Sequence, residues 1–149
     1  MIDYSTVQFK ADHAKAVIED GLNMDEGHDW DSQAKVLEDA GYATTLLDIN
    51  EKPVLCLGVV PLWNGVGEGW LLGSKKMQDH PIAIGRAIKE VFIQYREHAG
   101  WWRVQSNVRA DWPLAIKFIK FLGMEEEGLM KKFGPEGADY IRFAWIKCQ

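Results

Sequence analysis

The chain has 149 residues, of which 47% are hydrophobic and 26% charged, a composition typical of a folded globular protein that argues against disorder. A formal net charge of −5 offers no general basic surface for phosphate, so we predict no nucleic-acid partner. At this length one domain, residues 1–149, can bury a core without disulfides or metals.

The apolar runs and the two cysteines indicate the compartment. The opening Met1-Ile-Asp-Tyr-Ser lacks the basic and apolar regions of a signal peptide, and no apolar run approaches the ~20 residues of a membrane span. Cys56 and Cys148 are too few for a disulfide framework, so both are expected to be free thiols. We therefore expect a cytoplasmic protein with no membrane partner.

The first half of the chain predicts a strand, two helices and a hairpin. The second strand of the hairpin, 54–60, is apolar on both faces and is therefore expected to be central in a sheet. The predicted elements are a strand at 5–9, a helix from its cap Asp12 to 22, a loop at 23–29, a helix at 31–40 ended by Gly41, and strands at 42–49 and 54–60 joined by a turn at 50–53.

The second half contains the strongest helix signal. Ile84, Ile88, Val91 and Tyr95 fall on one face of a helix that runs from Pro81 to His98. The other predicted elements are a turn at 61–65, a strand at 66–74, a strand at 101–108, a helix opening at Asp111-Trp-Pro with Leu114, Ala115, Phe118, Ile119 and Leu122 on its apolar face, and strands at 125–133 and 140–147 joined at 134–138.

The resulting element order is β-α-α-β-β-β-α-β-α-β-β. Antiparallel hairpins surround one β-α-β crossover, so the sequence predicts an α/β fold with a mixed, mostly antiparallel sheet and helices on both faces.

This order, together with one segment of the second half, resembles the GNAT superfamily of acyl-CoA-dependent N-acyltransferases. The segment Ala115-Ile-Lys-Phe-Ile-Lys-Phe-Leu-Gly-Met-Glu-Glu-Glu-Gly is similar to the family pattern A-x-x-x-Y-x-x-x-G-F-x-x-x-G. The resemblance implies an acetyl-CoA-dependent N-acetyltransferase in which the amine of a small molecule or protein attacks the thioester directly. The compact, tryptophan-rich form is also similar to acetyltransferase-like proteins of short-tailed bacteriophages, among them a small internal virion protein.

The resemblance also implies where acetyl-CoA would bind. In the family, the pantetheine arm lies along the fourth strand, and the pyrophosphate rests on backbone amides of a Q/R-x-x-G-x-G/A loop at the next helix. Transferred to this chain, the implied contacts are Leu71, Leu72 and Gly73 of the fourth strand, and Gln78, Ala83 and Arg86 at the turn and helix that follow.

The turn departs from the family pattern. Pro81 stands where glycine is expected and has no N–H to give to a phosphate. Asp79 places a negative charge beside the helix N-terminus. Lys75 and Lys76 can offset that charge, but only through flexible side chains. We therefore predict a weakened acetyl-CoA site. The alternative is an ordinary strand–loop–helix connection with Asp79 or His80 as the cap.

The family's catalytic positions are also altered. Ile119 occupies the place of the usual general acid, a tyrosine, and Trp112 occupies that of a frequent asparagine. Glu68 is the candidate general base, with a solvent-facing glutamate as the alternative. Ser106, next to Asn107, is the candidate to hold acceptor or thioester, with strand-end hydrogen bonding as the alternative. These departures leave open a second hypothesis, a catalytically inactive phage protein with a virion or host-interaction role.

The remaining chemistry-bearing residues are expected to be structural. Cys56 lies inside an apolar run and is predicted to be part of the hydrophobic core. The four histidines have no paired spacing, so we predict no metal site. Packing under the sheet is the expected role of most of a group of tryptophans, with an acceptor cleft or partner surface as the alternative; the group comprises Trp63, Trp70, Trp101, Trp102 and Trp112.

Overall fold

The structure, a computed structural model, describes residues 3–20 and 30–148. The predicted loop at 23–29 and the end of the first predicted helix lie outside the described residues. The described elements are β1 Ser5–Gln8, α1 Ala11–Glu19, α2 Trp30–Ala40, β2 Ala43–Leu47, β3 Pro53–Trp63, β4 Val66–Gly73, α3 Pro81–Ala99, β5 Arg103–Arg109, α4 Pro113–Phe121, β6 Glu125–Met130 and β7 Tyr140–Ile146. The predicted α/β element order is confirmed.

The sheet has seven strands in the order β1-β2-β3-β4-β5-β7-β6. Antiparallel pairing joins β1 to β2, β2 to β3, β5 to β7 and β6 to β7, whereas β4 and β5 pair in parallel. The mostly antiparallel, mixed sheet is therefore confirmed. The sequence did not predict that β7 inserts between β5 and β6.

The described residues form two compact units, and the first comprises those up to Val60 together with Trp70–Tyr95. Residues 54–59 of β3 are all buried, as expected for a central strand. The predicted apolar face of α3 is confirmed by burial of Ile84, Ile88 and Val91. A second set of buried side chains forms a core around α1 and α2; it comprises Phe9, Ala14, Val17, Ala34, Leu37, Ala43, Cys56 and Leu72.

The second unit comprises Pro61–Gly69 and the chain from Arg96 onward. Its buried side chains include Val104, Ile119 and Phe143. The prediction that Leu114 belongs to the apolar face of α4 is wrong, because its side chain is 61% exposed. At 100° per residue Leu114 lies roughly 140° around the helix from Ile119, at the margin of that face. The single domain over 1–149 stays a prediction.

The predicted turn at 61–65 is wrong. β3 continues through Pro61 to Trp63, and the turn consists of Asn64 and Gly65 alone. Asn-Gly is a strong signal for a two-residue hairpin turn, and Gly65 has a φ of 84°, which glycine adopts without strain. Pro61 is exposed, consistent with a proline that gives up no ladder hydrogen bond.

The predicted cap of the first helix is also wrong. α1 begins at Ala11 and its N-cap is Lys10, whose backbone N–H donates to Nδ1 of His13 at 3.1 Å. Asp12 therefore lies within the first turn, where a carboxylate interacts favourably with the helix dipole. None of the described helices combines the length and the hydropathy that a membrane crossing requires.

Replacing Gly65 with alanine tests the hairpin. A Cβ at Gly65 would coincide with the ring of Trp102, and the φ of 84° disfavours any L side chain. We expect Gly65→Ala to lower the free energy of unfolding by about 1–3 kcal/mol in urea denaturation. Gly128→Ala is the matched control, since a Cβ there meets open space. Equal stability of the two variants would contradict the assignment.

Candidate functional site

In the second unit, β4 and β5 run in parallel, with Val66–Glu68 opposite Arg103–Gln105. Glu68 faces Gln105, and its Oε1 accepts hydrogen bonds from Nε2 of Gln105 at 3.3 Å and from Nδ2 of Asn107 at 3.5 Å. Glu68 is partly buried. The carboxylate predicted as a base is thus oriented by two amide side chains.

The hydrogen bonds continue to both sides of Glu68. Nε of Arg103 donates to Oε1 of Gln105 at 3.1 Å, and its two terminal nitrogens donate to Glu127 at 2.8 and 2.5 Å. Nε of Arg142, which lies opposite Asn107 in the β5–β7 register, donates to Oδ1 of Asn107 at 3.2 Å. These side chains define a polar face of the sheet: Glu68, Arg103, Gln105, Asn107, Glu127 and Arg142.

Sequence reasoning missed Arg103, Gln105, Glu127 and Arg142 as parts of this face. The sequence did contain a signal for Arg103, Gln105 and Asn107, because polar residues recur at every second position from Arg103 to Arg109. Alternate side chains of a strand share a face. The positions of Glu127 and Arg142 depend on the strand order, which the sequence did not reveal.

Ser106 lies on the opposite side of β5 from Glu68. Its Oγ donates to the carbonyl oxygen of Gly69 at 3.0 Å, and only 9% of the residue is exposed. The approach is possible because Gly69 has no Cβ, which would stand 2.8 Å from that hydroxyl oxygen. The structure therefore does not bring the two candidate catalytic residues together: Ser106 holds the backbone of β4, whereas Glu68 belongs to the polar face.

In the first unit, successive residues at the end of β4 point to opposite faces of the strand. Leu72 is 3% exposed and packs in the core with Cys56, and Trp70 packs against the same core. Leu71 is partly buried, and Gly73 is buried under the side chain of Met77, whose sulfur lies where a Cβ would be. The Leu72 side chain is therefore buried in the core. The groups of this part of β4 that a ligand could contact are mainly backbone atoms.

A buried serine fixes the start of the connection from β4 to α3. Both the N–H and the hydroxyl of Ser74 donate to the carbonyl of Val54, at 3.1 and 2.7 Å. The Ser74 oxygen also accepts from the N–H of Lys76 at 3.2 Å and so caps a 3₁₀ turn at Lys75–Gln78. The family resemblance placed a phosphate-binding loop at 78–83, and the sequence interpretation missed this 3₁₀ turn, although a serine before a short helix is a capping signal.

The charges around this turn are mixed. Nζ of Lys76 lies 3.4 Å from Oδ2 of Asp48, so this cation is partly neutralised. Burial raises the pKa of the Tyr4 hydroxyl, and the carboxylates of Asp79 and Asp48 raise it further. The same hydroxyl lies 2.7 Å from Nδ1 of His80. The local field is therefore less favourable to an anion than the Lys75-Lys76 pair alone suggests.

The start of α3 offers few donors. Pro81 is the first helical residue, as predicted, and the N–H of Ile84 donates to the carbonyl of His80 at 3.0 Å. Helix geometry then leaves the N–H groups of Ile82 and Ala83 without an intrahelical acceptor. Arg86 is exposed one turn further on. These donors fit a phosphate group, but there are fewer of them than in a glycine loop.

The other candidates divide between core and surface. Cys56 is fully buried, as predicted, and burial raises the pKa of its thiol to about 11. Trp101 is buried, as expected for packing under the sheet, whereas Trp63 and Trp102 are 68% and 53% exposed. Among residues 3–20 and 30–148, no three His, Cys, Asp or Glu side chains cluster as a metal site would require.

Comparison with known proteins identifies similar folds but no relative by sequence. No protein-family model matches the chain, and no curated protein matches it. Among solved structures, it is similar to Ard1 from Thermoplasma volcanium, with a TM-score of 0.84, 11% identity and coverage of 98% of this chain and 99% of that one.

Two further solved structures are similar over nearly their whole length. The GNAT-family acetyltransferase from Bacillus anthracis gives a TM-score of 0.71 at 14% identity, covering 98% of each chain. Ribosomal-protein-S5-alanine acetyltransferase from Vibrio fischeri gives 0.74 at 16% identity, covering 96% of this chain and 92% of that one. These likenesses show that the chain has the GNAT fold.

The ion pair at the margin of the polar face predicts a pH dependence of stability. Hydrogen bonding to Arg103 is the main reason that the pKa of Glu127 lies below its ordinary value of 4.5. The contribution of the pair is therefore fully present above that value and is lost as the pH falls through the lowered, folded-state pKa.

We expect Glu127→Gln to reduce the loss of stability that the wild-type protein shows on acidification below pH ~4.5, measured by urea denaturation at a series of pH values. The exposed Glu126→Gln is the control for removing one negative charge. If both variants flatten the profile equally, the ion pair is not the cause.

Proposed function

We propose that this protein belongs to the GNAT superfamily and is an acetyl-CoA-dependent N-acetyltransferase with a weakened cofactor site. The observation that carries the proposal is the placement of Glu68, a carboxylate fixed by Gln105 and Asn107 on the fourth strand of a GNAT fold. The fold alone does not establish an activity, because one fold hosts several functions, so the proposal depends on this site.

The cofactor is assigned to the first unit. The backbone of Leu71, Leu72 and Gly73 would face the pantetheine arm, and the N–H groups of Ile82 and Ala83 would meet the pyrophosphate. Gln78 and Arg86, both exposed, would add side-chain donors. When bound, acetyl-CoA would supply an acetyl group: a carbon–nitrogen bond to the acceptor forms, the carbon–sulfur bond breaks, and CoA leaves as the thiol.

Glu68 is assigned the proton transfer. An amine is protonated at neutral pH and must lose a proton before its nitrogen can attack a carbonyl carbon. Within the described residues, the hydrogen bonds that the side-chain amides of Gln105 and Asn107 donate to Glu68 both end at Oε1. Oε2 is therefore the oxygen that takes the proton, directly or through water. Ser106 acts on the backbone of β4 through Gly69 and is assigned a positioning role.

The chain provides no side-chain acid at the family's usual position. Ile119 is 6% exposed and has no ionisable proton, so the proton that completes the thiol comes from solvent. Because the acyl transfer depends mainly on holding an amine against a thioester, such a site can still react, although more slowly.

Calorimetry with acetyl-CoA tests cofactor binding. We expect binding that weakens about tenfold in Arg86→Ala, since a charge-assisted bond to phosphate is lost. Lys117→Ala, at an exposed position of α4, is the matched control for removing one positive charge. No binding at millimolar acetyl-CoA would refute the proposal.

Replacing Glu68 tests catalysis. Glu68→Gln preserves shape and hydrogen bonding but cannot take a proton, so we expect kcat to fall by about 10²–10⁴ with the Kd for acetyl-CoA unchanged. Product is measured by mass spectrometry with a library of amines, and Glu126→Gln is the control. An unchanged kcat would remove Glu68 from the mechanism.

A second candidate function is a non-catalytic GNAT-fold protein of a bacteriophage, with a virion or host-interaction role. Pro81, Ile119 and Trp112, all at positions where family members carry functional residues, favour it. Failure of acetyl-CoA binding in the calorimetry would support this candidate, whereas turnover of acetyl-CoA with any amine would exclude it.

A further inference from the structure

Arg142 is a cation on the polar face whose terminal nitrogens are available. Its Nε donates to Oδ1 of Asn107 at 3.2 Å, and the residue is partly exposed. Within residues 3–20 and 30–148, no hydrogen bond or ion pair of its two terminal nitrogens is found, although its charge also acts on Glu127 and helps to lower the pKa of that carboxyl. Arginine presents these nitrogens as a planar fork that matches a carboxylate.

The two arginines of β5, by contrast, are already engaged. Arg103 gives both terminal nitrogens to Glu127 and its Nε to Gln105. Arg109 is bidentate to Asp111, with two bonds of 3.0 Å. Arg142 therefore differs from both: its fork is not saturated by a carboxylate of the described chain.

Glu68 and Arg142 are held one amide group apart. Asn107 donates to Glu68 through Nδ2 and accepts from Arg142 through Oδ1, so the carboxylate and the guanidinium do not neutralise each other directly. The path from Oε1 of Glu68 to Nε of Arg142 comprises hydrogen bonds of 3.5 and 3.2 Å and the width of an amide. A free α-amino acid, with an ammonium at one end and a carboxylate at the other, has a similar span when hydrogen-bonded at both ends.

We infer that Arg142 is a specificity-determining residue that binds the carboxylate of an acceptor whose amine lies at Glu68, and that the acceptor is a free α-amino acid. The inference rests on the proposed function and adds no chemical step to it. Glu68 takes the proton of the α-ammonium, Arg142 holds the carboxylate, and Asn107 fixes the distance between them.

Matched amine pairs test the inference. Wild-type protein is assayed with acetyl-CoA and either phenylalanine or phenethylamine, which differ only by the carboxylate. The N-acetyl product is measured by mass spectrometry, because the exposed thiol of Cys148 would react with a thiol reagent. The same comparison is made for leucine and isoamylamine. We expect kcat/KM to be at least about tenfold higher for the amino acid of each pair.

Two arginine variants locate the cause of that preference. Arg142→Gln can still donate to Asn107 but has lost the charged fork, so KM for the amino acid should rise about tenfold or more, with little change for the amine. Arg109→Gln removes the same charge from a neighbouring strand and should keep the preference. The inference is overturned if the amines are equally good substrates, or if Arg142→Gln retains the preference.

Binding separates this inference from the proposed function. Phenylalanine is titrated into the wild-type protein and into Arg142→Gln, without acetyl-CoA, and followed by NMR chemical-shift changes. Should no amine be acetylated, the proposed function fails, and the amino-acid site stands only if phenylalanine binds the wild type and not Arg142→Gln. Absence of binding together with absence of acetylation overturns both.

Discussion

The parallel pairing of β4 with β5 is the constraint on which the site depends. Two parallel strands that are consecutive in the sheet cannot be joined by a tight turn, so the chain needs a crossover, which α3 supplies. The register of the pair places Glu68 opposite Gln105. Because side chains alternate along a strand, the same register sends Asn107 to the face of Glu68 and Ser106 to the other. A shift of one residue would exchange their roles.

The fold was largely predictable from the sequence because its signals are local. The helix at Pro81 and the buried strand at Val54 carry their periodicity within one segment, and both are confirmed. The errors arose where two local signals competed. At the β3–β4 hairpin, Pro61 suggested an early turn, but Asn64-Gly65 determined its position, since Gly65 readily adopts the left-handed backbone conformation found there.

The candidate site was only partly predictable. Glu68 and Asn107 were identified singly, because a polar residue in an apolar strand is visible in the sequence. Arg142 was not, since it reaches Asn107 only through a strand order in which β7 pairs with β5. The cofactor turn gives the reverse case: Pro81 was correctly expected to begin the helix, but the bonds of Ser74 to Val54 are long-range and left no trace in the local pattern.

The charge balance of the polar face bears on which acceptors it suits. The chain as a whole has a net charge of −5, yet this face pairs two glutamates, Glu68 and Glu127, with two arginines, Arg103 and Arg142. In the proposed site, a purely cationic acceptor would be repelled by Arg142 as well as attracted by Glu68, since both lie within hydrogen-bonding distance of the same amide. A zwitterion meets a complementary charge at each end. In the proposed site, Arg142 would therefore add selectivity for a zwitterion to a carboxylate that alone would attract any amine.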